Sequence, residues 1–109
     1  MISKRDSSVA QQLSCIIVVT GAIDFITDGE RMAYVQEGHS MMSKVTAMGC
    51  TATGIVGAFL AVNSDPLEAS FHAMKAMGIA GERAASQSRG NGSMMINFLD
   101  ELCNLVAYV

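Results

Sequence analysis

An uninterrupted apolar run, Cys15-Ile16-Ile17-Val18-Val19, most constrains the fold of this 109-residue chain. Successive β-branched residues favour a strand, and a strand without a polar face must be covered on both sides. This pattern is typical of the central strand of a parallel sheet. We therefore predict an α/β domain in which Thr20-Gly21 lies at the sheet edge where open α/β sheets bind ligands.

Shorter strands are predicted after this run. Residues 23–27 and 31–35 flank Asp28-Gly29, a pair suited to a tight turn, and should form an antiparallel β-hairpin. Gly38-His39-Ser40 interrupts the pattern, and residues 41–45 are predicted to form a short strand. The loop that follows would then leave the carboxyl end of a strand.

Helices should make up most of the remainder, and residues 1–12 are expected to form either a frayed start or the end of a helix. Residues 50–62 have almost no polar face, which predicts a buried helix. Asp65-Pro66-Leu67-Glu68 combines an acidic N-cap, a proline at the first helical position and a glutamate at the third, so it predicts a capping box. Residues 1–109 should thus form one α/β unit with about three packed α-helices after the strands.

Two of these helices have a recognisable apolar stripe. The second helix should bury Leu67, Phe71, Met74 and Met77, with Glu82-Arg83 on its solvated face. The last helix should bury the set Met95, Phe98, Leu99, Leu102 and Val106.

Composition excludes several classes of protein. A net charge of -3 without a basic cluster beyond Lys4-Arg5 argues against nucleic-acid binding. No apolar run is long enough to cross a membrane, and no signal peptide is indicated. Cys15, Cys50 and Cys103 are an odd, widely spaced set that suggests neither disulfides nor zinc, so a reducing cytoplasm fits best. His39 and His72 lack acidic partners at ligand spacing, and we predict no metal site formed by protein residues alone.

The segment Lys44-Val45-Thr46-Ala47-Met48-Gly49-Cys50 has the character of an anion-binding loop. Small residues let the backbone approach a ligand, and a helix that begins near Cys50 would direct unpaired N–H groups at a phosphate. A helix start also favours the anionic form of a cysteine, so Cys50 is a candidate base or nucleophile. The structural alternative, which these residues alone leave open, is a turn followed by a packed helix in which Cys50 is a small buried apolar residue.

The order of several motifs resembles the C-terminal portion of the hydroxyethylthiazole kinase family, whose members have a ribokinase-like fold. Ile17-Val18-Val19-Thr20-Gly21-Ala22-Ile23-Asp24 is similar to the family's strand that ends in T-G-E-V-D, and residues 44–50 resemble its K-V-T-G-x-G-C. Gly38-His39 also matches, and residues 56–59, 65–69, 78–82 and 90–93 resemble later family segments in the same order.

The resemblance implies ATP-dependent phosphorylation of the hydroxyl of 4-methyl-5-(2-hydroxyethyl)thiazole in thiamine biosynthesis or salvage. Cys50 would lie beside the attacking hydroxyl, and Thr20 would contact ATP. The backbone of Ala47, Met48 and Gly49 would form the anion hole, with Mg²⁺ bridging the nucleotide phosphates. A homo-oligomer, the family trimer, or a complementing N-terminal polypeptide would complete the substrate pocket.

The chain departs from the family pattern at three positions. Ala47 replaces the first glycine of G-x-G-C, Ala22 replaces the glutamate of T-G-E, and Asn91 replaces the proline of G-P-G-S. The family's chain is also more than twice as long, so we expect a C-terminal fragment with exposed apolar surface. Two alternatives are a non-catalytic remnant or interaction module and a ribokinase-like kinase of another small alcohol.

Overall fold

The computed structural model describes residues 4–105, which form a three-stranded sheet and four α-helices. The elements in chain order are α1 (Lys4–Leu13), β1 (Ile17–Val19), β2 (Asp24–Thr27), β3 (Met32–Val35), a 3-10 helix (Ser40–Lys44), α2 (Met48–Val62), α3 (Pro66–Gln87) and α4 (Asn91–Leu105). This arrangement confirms the α/β class and the helical alternative for the start of the chain.

The sheet is antiparallel throughout the described residues, with strand order β1-β2-β3. Val18 pairs with Ile26, and Ile26 pairs with Ala33 in the next strand. The hairpin of β2 and β3 is as predicted, and Gly29 takes the positive φ, 100°, that its turn requires.

The prediction that residues 15–19 form a central parallel strand is wrong within this part of the chain. A connection of only four residues joins β1 to β2, and such a short connection permits only antiparallel pairing. Consequently β1 lies at one edge of the three-stranded sheet, and its side chains are half-buried. The β-branched run identified a strand but carried no information on the direction of its neighbour.

Residues 41–45 do not form the predicted short strand. Most of this segment lies in the 3-10 helix Ser40–Lys44, whose N-cap is His39: the ring Nδ1 accepts a hydrogen bond of 3.0 Å from the Met41 N–H. Side-chain capping of this kind offers the backbone an alternative to a strand. The chain therefore enters α2 from a tight helical turn.

The helix α2 begins at Met48, two residues earlier than predicted, after Ala47 in a left-handed conformation with φ 67°. It is not the buried helix that its composition suggested, because none of its residues is buried. Ala52, Ile55 and Val56 pack against the cores, whereas Leu60 and Val62 are exposed. The expected exposed apolar surface is thereby confirmed, and the far side of α2 contributes to it.

The start of α3 is as predicted. The Asp65 carboxylate accepts hydrogen bonds from the N–H groups of Leu67 and Glu68. The reciprocal half of a capping box is absent from this site: the Asp65 N–H donates to the Asn63 side chain and not to Glu68. Arg31 on the sheet side also donates two hydrogen bonds to Asp65, and they lower the pKa of that carboxyl to about 2. The cap therefore joins the hairpin to α3.

Both apolar cores are built on α3. One core joins Leu67 and Met74 to Ile26 and Val35 of the sheet. The other joins Met77, Ala80 and Ala84 to Met94 and Phe98 of α4. Phe71, the remaining member of the predicted α3 stripe, is only half-buried.

The predicted apolar stripe of α4 is confirmed at Phe98, which is buried, and at Leu102, which packs against the core, but the buried face is turned toward Met94. Met94 and Phe98 are buried, whereas Met95 and Leu99, which were predicted to be buried, are 45% and 55% exposed. The predicted Val106 lies outside the described residues. Because apolar side chains surround much of this helix, its sequence did not define which stripe meets α3. No helix in residues 4–105 combines the length and apolar character needed to cross a membrane.

Replacing Met94 with alanine should lower the free energy of unfolding by about 2–5 kcal/mol, because the side chain is fully buried and its removal leaves a cavity. The matched control is Met95→Ala at the exposed neighbouring position, with an expected change of roughly 0.5 kcal/mol or less. Urea denaturation of both variants measures the difference. Equal losses for the two variants would contradict this orientation of α4.

Replacing Ala47 with glycine should raise the free energy of unfolding by about 1 kcal/mol, because a left-handed backbone strains alanine but not glycine. Ala58→Gly, at an exposed position inside the same helix, should instead lower it by about 0.5–1 kcal/mol. Urea denaturation of both variants measures the change in the free energy of unfolding, which should be positive for Ala47→Gly and negative for Ala58→Gly. A loss at Ala47 would show that this residue is not strained.

Candidate active site

A cavity of about 760 Å³ lies beside the sheet. Its lining comes from the β1–β2 connection, from the segment that runs from Glu37 through the 3-10 helix into the first turns of α2, and from Met74, Met77 and Gly78 of α3. The predicted residues Thr20, Ala47, Met48 and Gly49 all line this one cavity. The fold thus brings together two segments that are far apart in sequence.

Thr20 presents a hydroxyl that is free to bind a ligand. The residue directly follows β1 and is exposed, and its side chain has no hydrogen-bond partner within residues 4–105. By contrast, the hydroxyls of Thr51 and Thr53 on α2 donate to the carbonyl oxygens of Ala47 and Gly49. Thr20 is therefore suited to contact a ligand in the cavity.

The N-terminus of α2 supplies backbone donors to the same cavity. The first hydrogen bond of this helix runs from the Thr51 N–H to the Ala47 carbonyl oxygen, at 3.0 Å. The earlier N–H groups, on Met48, Gly49 and Cys50, precede that bond and lack acceptors one turn back in the helix. A Cβ added at Gly49 would meet no atom within 4 Å, so a ligand has room to approach. Such a helix start suits a phosphate group.

Cys50 lies outside the cavity lining, although it is adjacent to Gly49. Its thiol is free and the residue is exposed. Successive helical residues are rotated by about 100°, so Gly49 and Ala52 can line the cavity while Cys50 lies on another side of the helix. The residues predicted to bind the anion thus line the cavity, whereas the residue predicted to act on the acceptor does not.

Two carboxylates in the cavity lining were not among the predicted site residues. Asp24 accepts a hydrogen bond of 3.1 Å from the Gly21 N–H, and partial burial raises the pKa of its carboxyl. Glu37 lies 3.7 Å from the Lys75 ammonium group. The available signal for Asp24 was its place at the end of the segment that resembles T-G-E-V-D.

Methionines form much of the apolar lining. Met42, Met48, Met74 and Met77 all contribute to it. Helical spacing predicted that Met74 and Met77 would be buried, and they do belong to the two cores. Sequence reasoning missed that the same side chains also face a cavity. A flexible, polarisable thioether suits contact with an aromatic ring.

Within residues 4–105 no group of three or more His, Cys, Asp and Glu side chains is placed to hold a metal ion. His72 lies near Glu68 on α3, and His39 caps the 3-10 helix at the cavity rim.

Comparison with known proteins gives a consistent result. The model of the hydroxyethylthiazole kinase family matches residues 2–108. The hydroxyethylthiazole kinase of Granulibacter bethesdensis is 47% identical over 96 residues, which are 88% of this chain and 35% of that protein. The enzyme of the same name from Thermoanaerobacter sp. is 42% identical, over 95% of this chain and 40% of its own length.

A solved structure shares the fold. The hydroxyethylthiazole kinase protein of Pyrococcus horikoshii OT3 superposes with a TM-score of 0.86 at 35% identity, over 91% of this chain and 39% of that chain. The chain thus spans less than half the length of these relatives. With a family match over nearly its whole length and a shared fold, this chain belongs to the hydroxyethylthiazole kinase family.

Proposed function

We propose that this chain contributes the nucleotide and phosphoryl-transfer part of a kinase that uses ATP to phosphorylate the hydroxyl of 4-methyl-5-(2-hydroxyethyl)thiazole. The observation that carries the proposal is the cavity that joins the unpaired Thr20 hydroxyl to the N-terminus of α2. Family membership supports the reaction class. Because the relatives are more than twice as long, we assign the complete activity to residues 1–109 together with a portion they do not contain.

The nucleotide would occupy the cavity. Thr20 donates to a phosphate oxygen, and the N–H groups at the start of α2 hold the transferring phosphoryl group. The apolar methionine lining suits the remainder of a nucleotide, whose base is aromatic. The anion hole formed by Ala47, Met48 and Gly49 would stabilise the charge that the transition state spreads over the phosphoryl oxygens.

The acceptor alcohol would approach from the Cys50 side of α2. Its oxygen attacks the γ-phosphorus, the bond from that phosphorus to the bridging oxygen breaks, and ADP leaves with the electron pair. The alcohol proton passes to the thiolate form of Cys50 or to solvent. The position of Cys50 outside the cavity, one residue after the anion hole, supports separate nucleotide and acceptor sides. Loose phosphoryl transfer depends more on such positioning than on proton removal.

Mg²⁺ would serve as a counter-ion for the nucleotide. This ion commonly binds one or two carboxylates together with substrate phosphates, and Asp24 is a suitable oxygen donor in the cavity lining. Partial burial of Asp24 disfavours its charged form, and a bound cation would offset that cost. Mg²⁺ would neutralise charge on the phosphates, while Thr20 and the α2 N–H groups orient them.

The acceptor side requires further protein. The exposed side of α2 suggests a surface that a family-type trimer or a complementing N-terminal polypeptide covers. The same proposal places the protein in the cytoplasm, where three free cysteines stay reduced, and includes neither nucleic acid nor membrane as a partner.

Thr20→Val should weaken ATP binding about tenfold, because valine keeps the side-chain shape but removes the hydroxyl donor. The measurement is calorimetric titration of the 109-residue chain with ATP and Mg²⁺. Thr53→Val, outside the cavity lining and with its hydroxyl bonded to Gly49, is the matched control and should bind as the parent does. If the parent chain binds no ATP, the remnant alternative replaces this proposal.

Cys50→Ala should lower the rate of thiazole phosphate formation by about 10²-fold while leaving the affinity for ATP unchanged, because the thiol acts on the acceptor side. The product is measured by mass spectrometry, with the chain alone and with the N-terminal portion of the Thermoanaerobacter relative added. Cys103→Ala, an exposed cysteine of α4, is the control. A rate unaffected by Cys50→Ala would remove Cys50 from the mechanism, and phosphorylation of other small alcohols at equal rates would change the substrate.

A further inference from the structure

One wall of the cavity is an irregular segment that α3 holds in place. We define this wall segment as residues 37–42, of which Glu37, Gly38, His39, Ser40 and Met42 line the cavity. It contains no strand, and only its last residues belong to the 3-10 helix. The residues before the 3-10 helix therefore depend on neighbouring elements for their shape.

Four residues on one side of α3 contact the wall segment. Lys75 pairs with Glu37 at 3.7 Å. Gly78 allows the backbone of Glu37 so close that an added Cβ would lie 2.5 Å from its carbonyl oxygen, and Gly81 similarly leaves room for the Met42 side chain. Glu82 accepts a hydrogen bond of 2.9 Å from the Gly38 N–H through its Oε1. Since residues three and four apart share a helix face, these contacts form one continuous strip.

The contact between Glu82 and Gly38 restrains the most adaptable residue of the wall segment. Gly38 has φ 140°, a conformation open to glycine and strained for other residues. The Glu82 Oε1 accepts the Gly38 N–H at 2.9 Å, the usual length of a well-formed N–H···O bond, and an amide oxygen at the same reach could accept it as well. This bond therefore restrains the wall segment where it passes α3.

Local backbone hydrogen bonds continue from the wall segment toward the predicted anion hole at the start of α2. The Met42 N–H donates to the His39 carbonyl oxygen at 3.0 Å, and the Val45 N–H donates to the Met42 carbonyl oxygen at 3.2 Å. Ala47, the N-cap of α2, follows two residues later. The wall segment therefore connects Glu82 to the phosphate-binding end of the cavity by a short, bonded path.

We propose that Glu82 is a positioning residue for the ligand cavity: by holding Gly38, it fixes the wall segment and the approach to the α2 N-terminus. The inference rests on the proposed function for its ligand, ATP. Glu82 does not line the cavity, so it acts through Gly38 and not by contact with the nucleotide.

Three substitutions in the 109-residue chain separate acceptor position from charge. Glu82→Gln keeps a carbonyl oxygen at the same reach, Glu82→Asp keeps the charge but withdraws the acceptor, and Glu82→Ala removes both. Glu101→Ala is the control, because Glu101 also accepts one hydrogen bond, from Gln87, but lies on α4 away from the cavity. Amide hydrogen exchange at Gly38 and its neighbours is measured by NMR, and affinity for ATP with Mg²⁺ by calorimetry.

Glu82→Ala and Glu82→Asp should each raise amide exchange at Gly38 about tenfold and weaken ATP binding about fivefold, whereas Glu82→Gln and Glu101→Ala should change both by about twofold or less. If the alanine variant does not fold, the aspartate and glutamine variants give the same comparison. An unchanged amide exchange rate at Gly38 in Glu82→Asp would overturn the inference, and so would faster exchange with unchanged affinity for ATP. If the parent chain binds no ATP, the proposed nucleotide function fails, and the exchange data still decide whether Glu82 fixes the wall segment.

Discussion

The packing of α3 is the constraint on which the rest of the structure depends. This helix meets the sheet, α2, α4 and the 3-10 helix, and it can do so because many of its buried residues are alanine or glycine. Small side chains let several backbones approach one helix, whereas larger ones would hold them apart. The cavity follows from this crowding: the wall segment lies against Gly78 and Gly81, and the cavity is enclosed between it and the β1–β2 connection.

Features governed by local chemistry were predictable from the sequence. Asp65-Pro66 defined the start of α3, because an N-cap and a first-turn proline act within a few residues. Gly29 similarly defined the hairpin turn. The proximity of Thr20 to residues 47–49 also followed, from motifs in family order, although their roles in catalysis stay predictions.

The predictions that failed concern features that depend on contacts with residues remote in sequence. Residues 41–45 have the pattern of a strand, but the His39 cap starts a 3-10 helix there, and the Met42 side chain packs against Gly81 of α3. The apolar character of α2 indicated burial, but burial requires neighbours on all sides of a helix, and within residues 4–105 only one side of α2 packs against α3 and the two cores. Glu82 was predicted to lie on the solvated face of its helix, and it is exposed. Its carboxylate nevertheless accepts a hydrogen bond from the Gly38 N–H. No local pattern distinguishes such a glutamate from its neighbours.

The bare side of α2 has a practical consequence for the behaviour of the chain in solution. Gly54 and Gly57 have open space where a Cβ would project, and the exposed Leu60 and Val62 extend the apolar surface toward the end of the helix. Smooth, weakly polar helix surfaces of this kind favour self-association as concentration rises. Self-association and binding of a complementing polypeptide would then use the same surface of α2, so the two would compete. Self-association through this surface would weaken as the chain is diluted, because it depends on mass action.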